Sequence, residues 1–123
     1  MIGYVTVGTN DLEKAAKFYD ALLAEFGAKR QMEAETFVAW GNGAAGFGVI
    51  KPYDGNAASV GNGTMVALAC DKPDMVDRVY KKAMELGAKD EGAAGPRGDS
   101  FYAGYFRDPD GNKLNAFLMD KAE

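Results

Sequence analysis

Apolar and polar residues follow a definite order along the first half of the chain. Residues 2–8 (IGYVTVG) alternate with a period of two, which predicts a strand with one buried face. Residues 12–26 carry apolar side chains at helical spacing up to Gly27, and Asn10 is predicted to cap this helix with Glu13 as its capping-box partner. Three strand-like runs follow, at residues 28–33, 36–40 and 46–50.

The same order returns in the second half. Residues 51–61 are rich in Gly, Asn, Ser and Pro and are predicted to be a linker. Residues 63–70 (GTMVALAC) alternate again and predict another strand. A second helix, with Pro73 in its first turn, runs as far as Gly87. The glycine-rich residues 91–98 are predicted to form a loop.

The two predicted helices end in nearly the same sequence. It reads EFGAK at residues 25–29 and ELGAK at residues 85–89. Together with the repeated order of elements, this indicates an internal repeat over residues 1–52 and 62–119. We therefore predict one domain, residues 1–123, built from two copies of a strand, a helix and three strands.

A hairpin over residues 101–118 closes the second copy. Its centre is the turn sequence DPDGN at residues 108–112, between two strand-like runs. The Asp108 side chain can bond the backbone that follows it, and Pro109 presets φ for the next turn position. Gly111 can adopt the positive φ that closes a type I turn with a bulge.

Each predicted half has one helix, which covers only one face of its sheet. Two halves placed side by side would curl their uncovered faces around a shared cleft, in an α+β fold. The alternation along the strands indicates which side chains face this cleft, and in the first half it leaves open whether Phe47 or Val49 does. The residues predicted to bind a ligand there are Tyr4, Thr6, Trp40, Met65, Ala67, Tyr105, Asn115 and Phe117.

Composition and charge narrow the possible partners. The chain has 123 residues, of which 47% are hydrophobic, as expected for one globular domain. A net charge of -4 does not suit a phosphate backbone, so no nucleic acid partner is predicted. No apolar run reaches the roughly 18 residues of a membrane span, and no basic-then-apolar leader opens the chain, so no membrane partner is predicted. The lone Cys70 indicates a reducing, cytoplasmic location.

The chain contains no histidine. Histidine is the commonest metal ligand and the usual general base near neutral pH. Any catalytic mechanism for this chain must therefore do without it.

Three stretches carry a family resemblance, VTVGTNDLEKAAKFYDALLAEFGA, GNGTMVALAC and YAGYFRDPDGNKLNAF. In this order they resemble the vicinal oxygen chelate superfamily of glyoxalase I, bleomycin-resistance proteins and extradiol dioxygenases. The resemblance implies two βαβββ modules that form a U-shaped cleft, the glyoxalase/bleomycin-resistance/dihydroxybiphenyl dioxygenase fold. It also implies a homodimer.

The resemblance further implies where a metal would be held. In metal-dependent members the ligands come from the first strand of each module and from the strand after the DPDGN turn. Here these positions hold Tyr4, Met65 and Asn115, and the fourth holds Phe47 or Val49. A phenol, a thioether and a neutral amide do not make a site for a hard or borderline divalent ion. We therefore predict no metal and no cofactor.

The sequence favours a metal-free protein that binds a small aromatic or apolar molecule, similar to the bleomycin-resistance branch. Planar ligands would stack on Trp40, Tyr105 or Phe117. No catalytic residue is assigned, because nothing supplies a general base with an obvious partner. An enzyme remains the alternative, either a lyase like lactoylglutathione lyase with Tyr4 or Tyr105 as its acid, or a dioxygenase-type protein. A structural dimerisation module is the third hypothesis.

Overall fold

The computed structural model describes residues 1–120 and divides the chain into two compact units, Met1–Gly61 and Asn62–Glu123. Each unit contains one four-stranded sheet and one α-helix. The boundary between the units falls at the end of the predicted linker.

The first unit holds one helix and a mixed sheet. Its strands lie in the order β1-β4-β3-β2, with β1 parallel to β4 and the other pairs antiparallel. The elements are β1 (Tyr4–Gly8), α1 (Leu12–Ala24), β2 (Lys29–Glu33), β3 (Phe37–Gly41) and β4 (Gly46–Ile50).

The second unit repeats this topology. Its strands lie in the order β5-β8-β7-β6, with β5 parallel to β8. The elements are β5 (Val66–Ala69), α2 (Pro73–Glu85), β6 (Lys89–Pro96), β7 (Phe101–Arg107) and β8 (Lys113–Met119). The prediction of two βαβββ modules in an α+β fold is thereby confirmed.

Aromatic side chains between α1 and its sheet form the core of the first unit. The ring centroid of Tyr19 lies 4.6 Å from that of Phe47 and 5.8 Å from that of Trp40. Val49 lies two positions after Phe47 on β4, so its side chain is on the same side of the sheet, where it is fully buried. The prediction that Trp40 and either Phe47 or Val49 turn away from the helix is wrong, since all three side chains face it.

Helix α2 packs on its own sheet in the same way. Val76, Val79 and Ala83 are fully buried, and so are the sheet residues Phe106 and Leu114. Two tyrosines add polar links between helix and sheet. The Tyr80 hydroxyl donates to Asp90 Oδ1 at 2.8 Å, and the Tyr102 hydroxyl donates to Asp77 Oδ1 at 2.7 Å.

The start of α1 differs from the prediction. Asp11 caps the helix, since its Oδ1 accepts a hydrogen bond from the Lys14 backbone N–H at 3.1 Å. Asn10 instead binds the backbone of Ala58 twice, donating from Nδ2 to the carbonyl at 3.2 Å and accepting from the N–H at 2.7 Å. The segment after β4 is therefore fastened to the residue that precedes the helix cap.

The glycine-rich residues 91–98, predicted to be a loop, mostly belong to strand β6. Irregular register makes this possible, because the pairing of β6 with β7 shifts on both sides of Gly92. Gly92 has a φ of 145°, which side-chain-bearing residues rarely adopt. These irregularities are bulges, where glycine inside a strand is common.

Within the described residues, neither helix is long and apolar enough to cross a membrane.

Candidate functional site

A trough of about 540 Å³ lies on the first unit, over the sheet face that α1 does not cover. The strand registers place Tyr4 and Thr6 of β1 on this open face, next to Gly46 and Gly48 of β4. Ala39 of β3 pairs with Gly48 from the other side. Two of the predicted ligand-binding residues, Tyr4 and Thr6, therefore line a concave surface.

Glycines make the floor of the trough from main chain. A Cβ atom at Gly48 would lie 3.3 Å from the Val38 carbonyl oxygen and 3.5 Å from Thr6 Cγ2. A Cβ atom at Gly46 would lie 3.4 Å from Tyr4 Cβ. Because no side chain rises from these two positions, the surface is depressed along β4.

Larger side chains stand on both sides of this floor. Tyr4 is 75% exposed on the β1 side, and Met32 is 58% exposed on the β2 side. Phe37 and Gln31 also line the β2 and β3 side. None of the described residues that line the trough is charged. Such a surface, mostly apolar with a few hydroxyl and amide groups, is typical of a small-molecule site.

Trp40 contributes to the trough differently from the prediction. It borders the trough, but only 2% of the residue is exposed, and its ring packs against Tyr19 on the helix side. Its indole N–H donates to Asp20 Oδ1 at 2.9 Å. Arg30 binds the same carboxylate with two hydrogen bonds of 2.9 and 2.7 Å. Trp40 therefore supports the trough from below and offers no face for stacking.

The Asp20 carboxylate is stabilised in its charged form. The hydrogen bond from Arg30 is the main cause that lowers the Asp20 pKa below its ordinary value of 3.8, and the Trp40 indole lowers it further. The hydrogen bond to Asp20 in turn raises the pKa of Arg30. This charged network fixes the edge strand β2 to helix α1.

The second unit also has an open face, on the side of its sheet away from α2. Register pairs Ala67 with Asn115 and Asn115 with Tyr105, so these three side chains share that face. Phe117 pairs with Ala103 on the same side. Met65 directly precedes β5 and is 40% exposed. The registers confirm the predicted orientation of Ala67, Tyr105, Asn115 and Phe117. The orientation of Met65, and whether any of these residues binds a ligand, stay predictions.

Asn115 is unusual on this face, because only 1% of it is exposed. Its Oδ1 atom has no hydrogen-bond partner among the described residues. A buried acceptor without a partner costs about 1–3 kcal/mol. Sites of this kind call for an explanation in a native structure.

Tyr105 lies between positive charges. The Arg97 guanidinium carbon and the Lys113 Nζ atom each lie 5.5 Å from its ring centroid. Arg97 is held by hydrogen bonds to the carbonyls of Ala93 and Gly95, at 2.7 and 3.0 Å. The Tyr105 ring is therefore in cation–π contact with Arg97, which directly follows β6, and with Lys113 of β8.

Phe117 already has an aromatic partner. Its ring stacks on that of Phe101, with centroids 5.8 Å apart and an interplanar angle of 20°. A planar ligand on Phe117 would extend this stack.

The turn between β7 and β8 has the predicted geometry. The Gly111 N–H donates to the Asp108 carbonyl at 2.9 Å, and Gly111 has a φ of 91°. Asp108 Oδ1 accepts from the backbone N–H groups of Asp110 and Asn112, both at 2.9 Å. Arg107 donates to the Gly111 carbonyl at 2.8 Å and to Glu91 at 3.0 Å. The Asp108 carboxylate therefore serves the structure of the turn.

The metal that the fold family implies can be tested against the donor atoms present. Tyr4, Met65 and Asn115 supply a phenol, a thioether and an amide, with no carboxylate or imidazole. On the second sheet, Arg97 and Lys113 place positive charge beside Tyr105, the register partner of Asn115. No group of three or more His, Cys, Asp or Glu side chains among the described residues could hold a metal ion. These residues do not fit a divalent metal, and no reaction step is assigned to one.

Cys70 is buried on the side of the second sheet that faces the helix. Burial raises the pKa of its thiol to about 11. Since the thiolate is the reactive form, Cys70 is a structural residue here.

Several trough residues were missed by the sequence analysis, among them Met32, Phe37 and Gly48. One signal was available. Glycine at alternate positions on either side of Phe47 marks one strand face that lacks side chains, and glycine inside a strand often marks a close approach of a ligand or backbone. Met32 had no such signal, because the β2 register shifts between Arg30 and Met32.

Comparison with known proteins agrees with this architecture. The family model described as Glyoxalase/Bleomycin resistance protein/Dioxygenase superfamily matches residues 1–116. A glyoxalase/bleomycin resistance protein from Albidiferax ferrireducens T118 is 35% identical, with a TM-score of 0.90 over 96% of this chain and 98% of that one. No curated protein gives a significant match.

More distant structures share the fold. A glyoxalase/bleomycin resistance protein/dioxygenase family enzyme from Burkholderia phytofirmans PsJN is 18% identical, with a TM-score of 0.78 over 95% of this chain and 97% of that one. Lactoylglutathione lyase from Agrobacterium tumefaciens is 20% identical, with a TM-score of 0.74 over 96% and 92%. From the match over residues 1–116 and the 35% identical relative, the chain belongs to the glyoxalase/bleomycin resistance protein/dioxygenase superfamily.

Proposed function

We propose that this protein binds a small, flat aromatic or apolar molecule in the trough on its first sheet. The observation that carries the proposal is the glycine floor, which leaves an apolar depression beside the exposed ring of Tyr4. The volume of about 540 Å³ lies within the range of roughly 300–1,000 Å³ usual for ligand pockets. Sequestration of the ligand, as in bleomycin-resistance proteins, is the form of binding that we propose.

The glycine floor of the trough is the reason why we propose a flat ligand. At Gly46 and Gly48 a ligand can approach the main chain closely, and a planar ring makes the largest contact with such a surface. Tyr4 offers an aromatic face at the side, where an offset or edge-to-face ring pair adds about 0.5–1.5 kcal/mol. Thr6 and Gln31 supply a hydroxyl and an amide for orientation.

Binding without catalysis is supported by the chemistry of the lining. Acid–base catalysis needs a group that exchanges protons near the working pH. Among the described lining residues the one acid–base group is the phenol of Tyr4, and no carboxylate, imidazole or amino group lines the trough with it. A lyase-type activity would need a base that this surface does not supply.

Two further properties are part of the proposal. The resemblance that led to the family also favours a homodimer, and the single cysteine favours a cytoplasmic location. Light scattering coupled to gel filtration measures the first, and fractionation of cells measures the second. A monomer in solution would contradict the first point, and export from the cytoplasm would contradict the second. Neither result would affect the proposal that the trough binds a ligand.

Ala39→Leu tests the trough directly. Ala39 lies on the open face opposite Gly48, so a leucine there fills the depression without entering the core. We expect indole or 1-naphthol to bind the wild type and to bind Ala39→Leu at least about tenfold more weakly, equivalent to 1.4 kcal/mol. Isothermal titration calorimetry measures both.

The matched control is Ala24→Leu, which makes the same change at an exposed position at the end of α1. It should leave the affinity unchanged. Equal weakening by both variants, or no saturable binding of either probe to the wild type, would refute the proposal.

A further inference from the structure

The tripeptide Gly-Asn-Gly occurs at residues 41–43 and again at residues 61–63. Glycine after asparagine has no Cβ atom, so its backbone nitrogen is not shielded and its φ is free to change. That nitrogen can then approach the Cγ atom of the asparagine. Both asparagines are exposed, and φ is positive at both glycines that follow, 97° at Gly43 and 93° at Gly63. The two sites therefore begin from the same local chemistry.

The fold holds the carboxamide of Asn42. Asn42 lies between β3 and β4, where its Nδ2 donates to the Phe26 carbonyl at 3.1 Å and its Oδ1 accepts from the Ala44 N–H at 3.2 Å. Phe26 lies just after α1, so the first of these bonds fixes the side chain to another element. Both hydrogen bonds oppose the rotation that would bring Cγ onto the Gly43 nitrogen.

The fold leaves the carboxamide of Asn62 unrestrained. Within the part of the chain that the structure describes, residues 1–120, no hydrogen bond holds this side chain. Residues 59–65 are all exposed, and a Cβ atom at Gly63 would meet nothing within 4 Å. Rotation of Asn62 toward the Gly63 nitrogen is therefore opposed by no protein contact.

We propose that Asn62 is a modification site, at which the chain deamidates itself with water as the co-reactant. The Gly63 backbone nitrogen attacks Cγ of Asn62 and gives up its proton. The new C–N bond closes a cyclic imide, while the Cγ–Nδ2 bond breaks and ammonia leaves with that proton. Water then opens the imide at one of its two carbonyls and leaves aspartate or isoaspartate. No group is oxidised or reduced.

The products change both the charge and the path of the chain. The new carboxylate lowers the formal net charge of -4 by one. In isoaspartate the main chain runs through the side-chain methylene, so it becomes longer by one carbon atom. Asn62 is the first residue of the second unit, shortly before β5 begins at Val66. The modification therefore falls on the connection between the two units, and it does not depend on the trough.

Peptide mapping by mass spectrometry compares the two sites within one molecule. The full chain is incubated at neutral pH and physiological temperature. We expect Asn62 to deamidate at least about tenfold faster than Asn42, which corresponds to about 1.4 kcal/mol in the barrier. Isoaspartate should form at residue 62, because opening of the imide produces it and direct hydrolysis of a carboxamide does not. Labelling with a protein isoaspartate methyltransferase detects it.

Unfolding separates the effect of the fold from that of the sequence. In urea above the unfolding midpoint both tripeptides lie in a flexible chain, so the two rates should become nearly equal.

A matched pair of variants assigns the change in charge. Isoelectric focusing should show the first additional acidic form with time in the wild type and in Asn42→Gln. Asn62→Gln should lack this form, because glutamine would have to close a larger and less favourable ring.

Several results would overturn the proposal. These are equal rates at the two sites in the folded protein, faster loss at Asn42, or no loss at Asn62 before unfolding. A difference that persists in urea would assign the effect to neighbouring residues in the sequence. Aspartate at residue 62 without isoaspartate would exclude the imide. If Asn42→Gln fails to fold, peptide mapping of the wild type still decides.

Discussion

At the scale of single residues, the Asp20 carboxylate accepts several hydrogen bonds that join different elements. One carboxylate accepts the indole N–H of Trp40 and two hydrogen bonds from Arg30. It therefore connects helix α1 with β3 in the core and with the edge strand β2. Removing it leaves the buried indole N–H without its acceptor.

We predict that Asp20→Ala lowers the free energy of unfolding by about 2 kcal/mol, mostly through the orphaned indole. Asp20→Asn keeps an acceptor and should lose less, about 1 kcal/mol, because the partly exposed ion pair with Arg30 is screened by solvent. Urea unfolding at neutral pH measures both. Glu13→Ala, which breaks an exposed pair with Lys17, is the control and should have no measurable effect.

The same carboxylate also sets a pH dependence. Because the folded-state pKa of Asp20 lies below its ordinary value of 3.8, its contribution is present above that pH and is lost as the pH falls below it. The difference in stability between wild type and Asp20→Ala should therefore shrink in acid. A constant difference across that range would contradict the assigned cause.

Residue-level prediction from the sequence succeeded where polar and apolar residues alternate and failed where they do not. Tyr4, Thr6 and Asn115 were placed on the correct faces. In β3 the run Phe-Val-Ala-Trp contains no polar residue, so its period of two does not indicate a buried face. The orientation of Trp40 is fixed by Tyr19 and Asp20 on the helix, which are distant in sequence.

At the scale of elements, α2 is fastened to its sheet by two phenol–carboxylate hydrogen bonds. Burial raises the pKa of Tyr80 above its ordinary 10.0, and its hydrogen bond to Asp90 raises it further. The hydrogen bond to Asp77 raises the pKa of Tyr102. Both hydroxyls must keep their protons to donate.

We predict that this link weakens at alkaline pH. A group whose folded-state pKa is raised contributes stability below its unfolded pKa and loses it as the pH rises through the folded value. The wild type should lose stability above pH 10.0, and the double variant Tyr80→Phe/Tyr102→Phe should lose less of it there. Urea midpoints on both sides of that pH measure the effect.

Tyr53→Phe is the control, since Tyr53 is fully exposed. It should change the alkaline behaviour little. An equal change in the control and in the double variant would show that the effect comes from general titration and not from the helix.

Elements themselves were predictable to within a few residues, with informative exceptions. The apolar stripes predicted both helices, and the DPDGN turn predicted the β7–β8 hairpin. Strand β6 was missed because its glycines resemble a loop and its pairing is interrupted by bulges. Asn10 and Asp11 are both good caps, and the choice between them depends on the backbone of Ala58, which lies 48 residues away.

At the scale of the whole chain, the internal repeat gave the architecture. Both units have the same strand order, and both helices are followed by glycines of positive φ, 70° at Gly27 and 89° at Gly87. That the two units behave as one domain stays a prediction. It is supported by size, because a unit of about 60 residues is only marginally stable by itself.

We predict that Gly27→Ala and Gly87→Ala each lower the midpoint of a single, shared thermal transition. An alanine Cβ would meet nothing within 4 Å at either position, so the cost is backbone strain alone, about 1–2 kcal/mol. Differential scanning calorimetry measures it. Two separate transitions, each moved by only one variant, would show instead that the units are independent domains.

The bare main chain beneath the first sheet's depression has an evolutionary consequence. The shape of this floor is set by the hydrogen bonds between the strands and not by side chains. Single substitutions can therefore change it little without disrupting the sheet. Diversification must then act on the rim, where Tyr4 and Met32 are exposed and can change without disturbing the core. Homologues with this floor should therefore differ in what they capture through a few rim substitutions, each nearly neutral for folding.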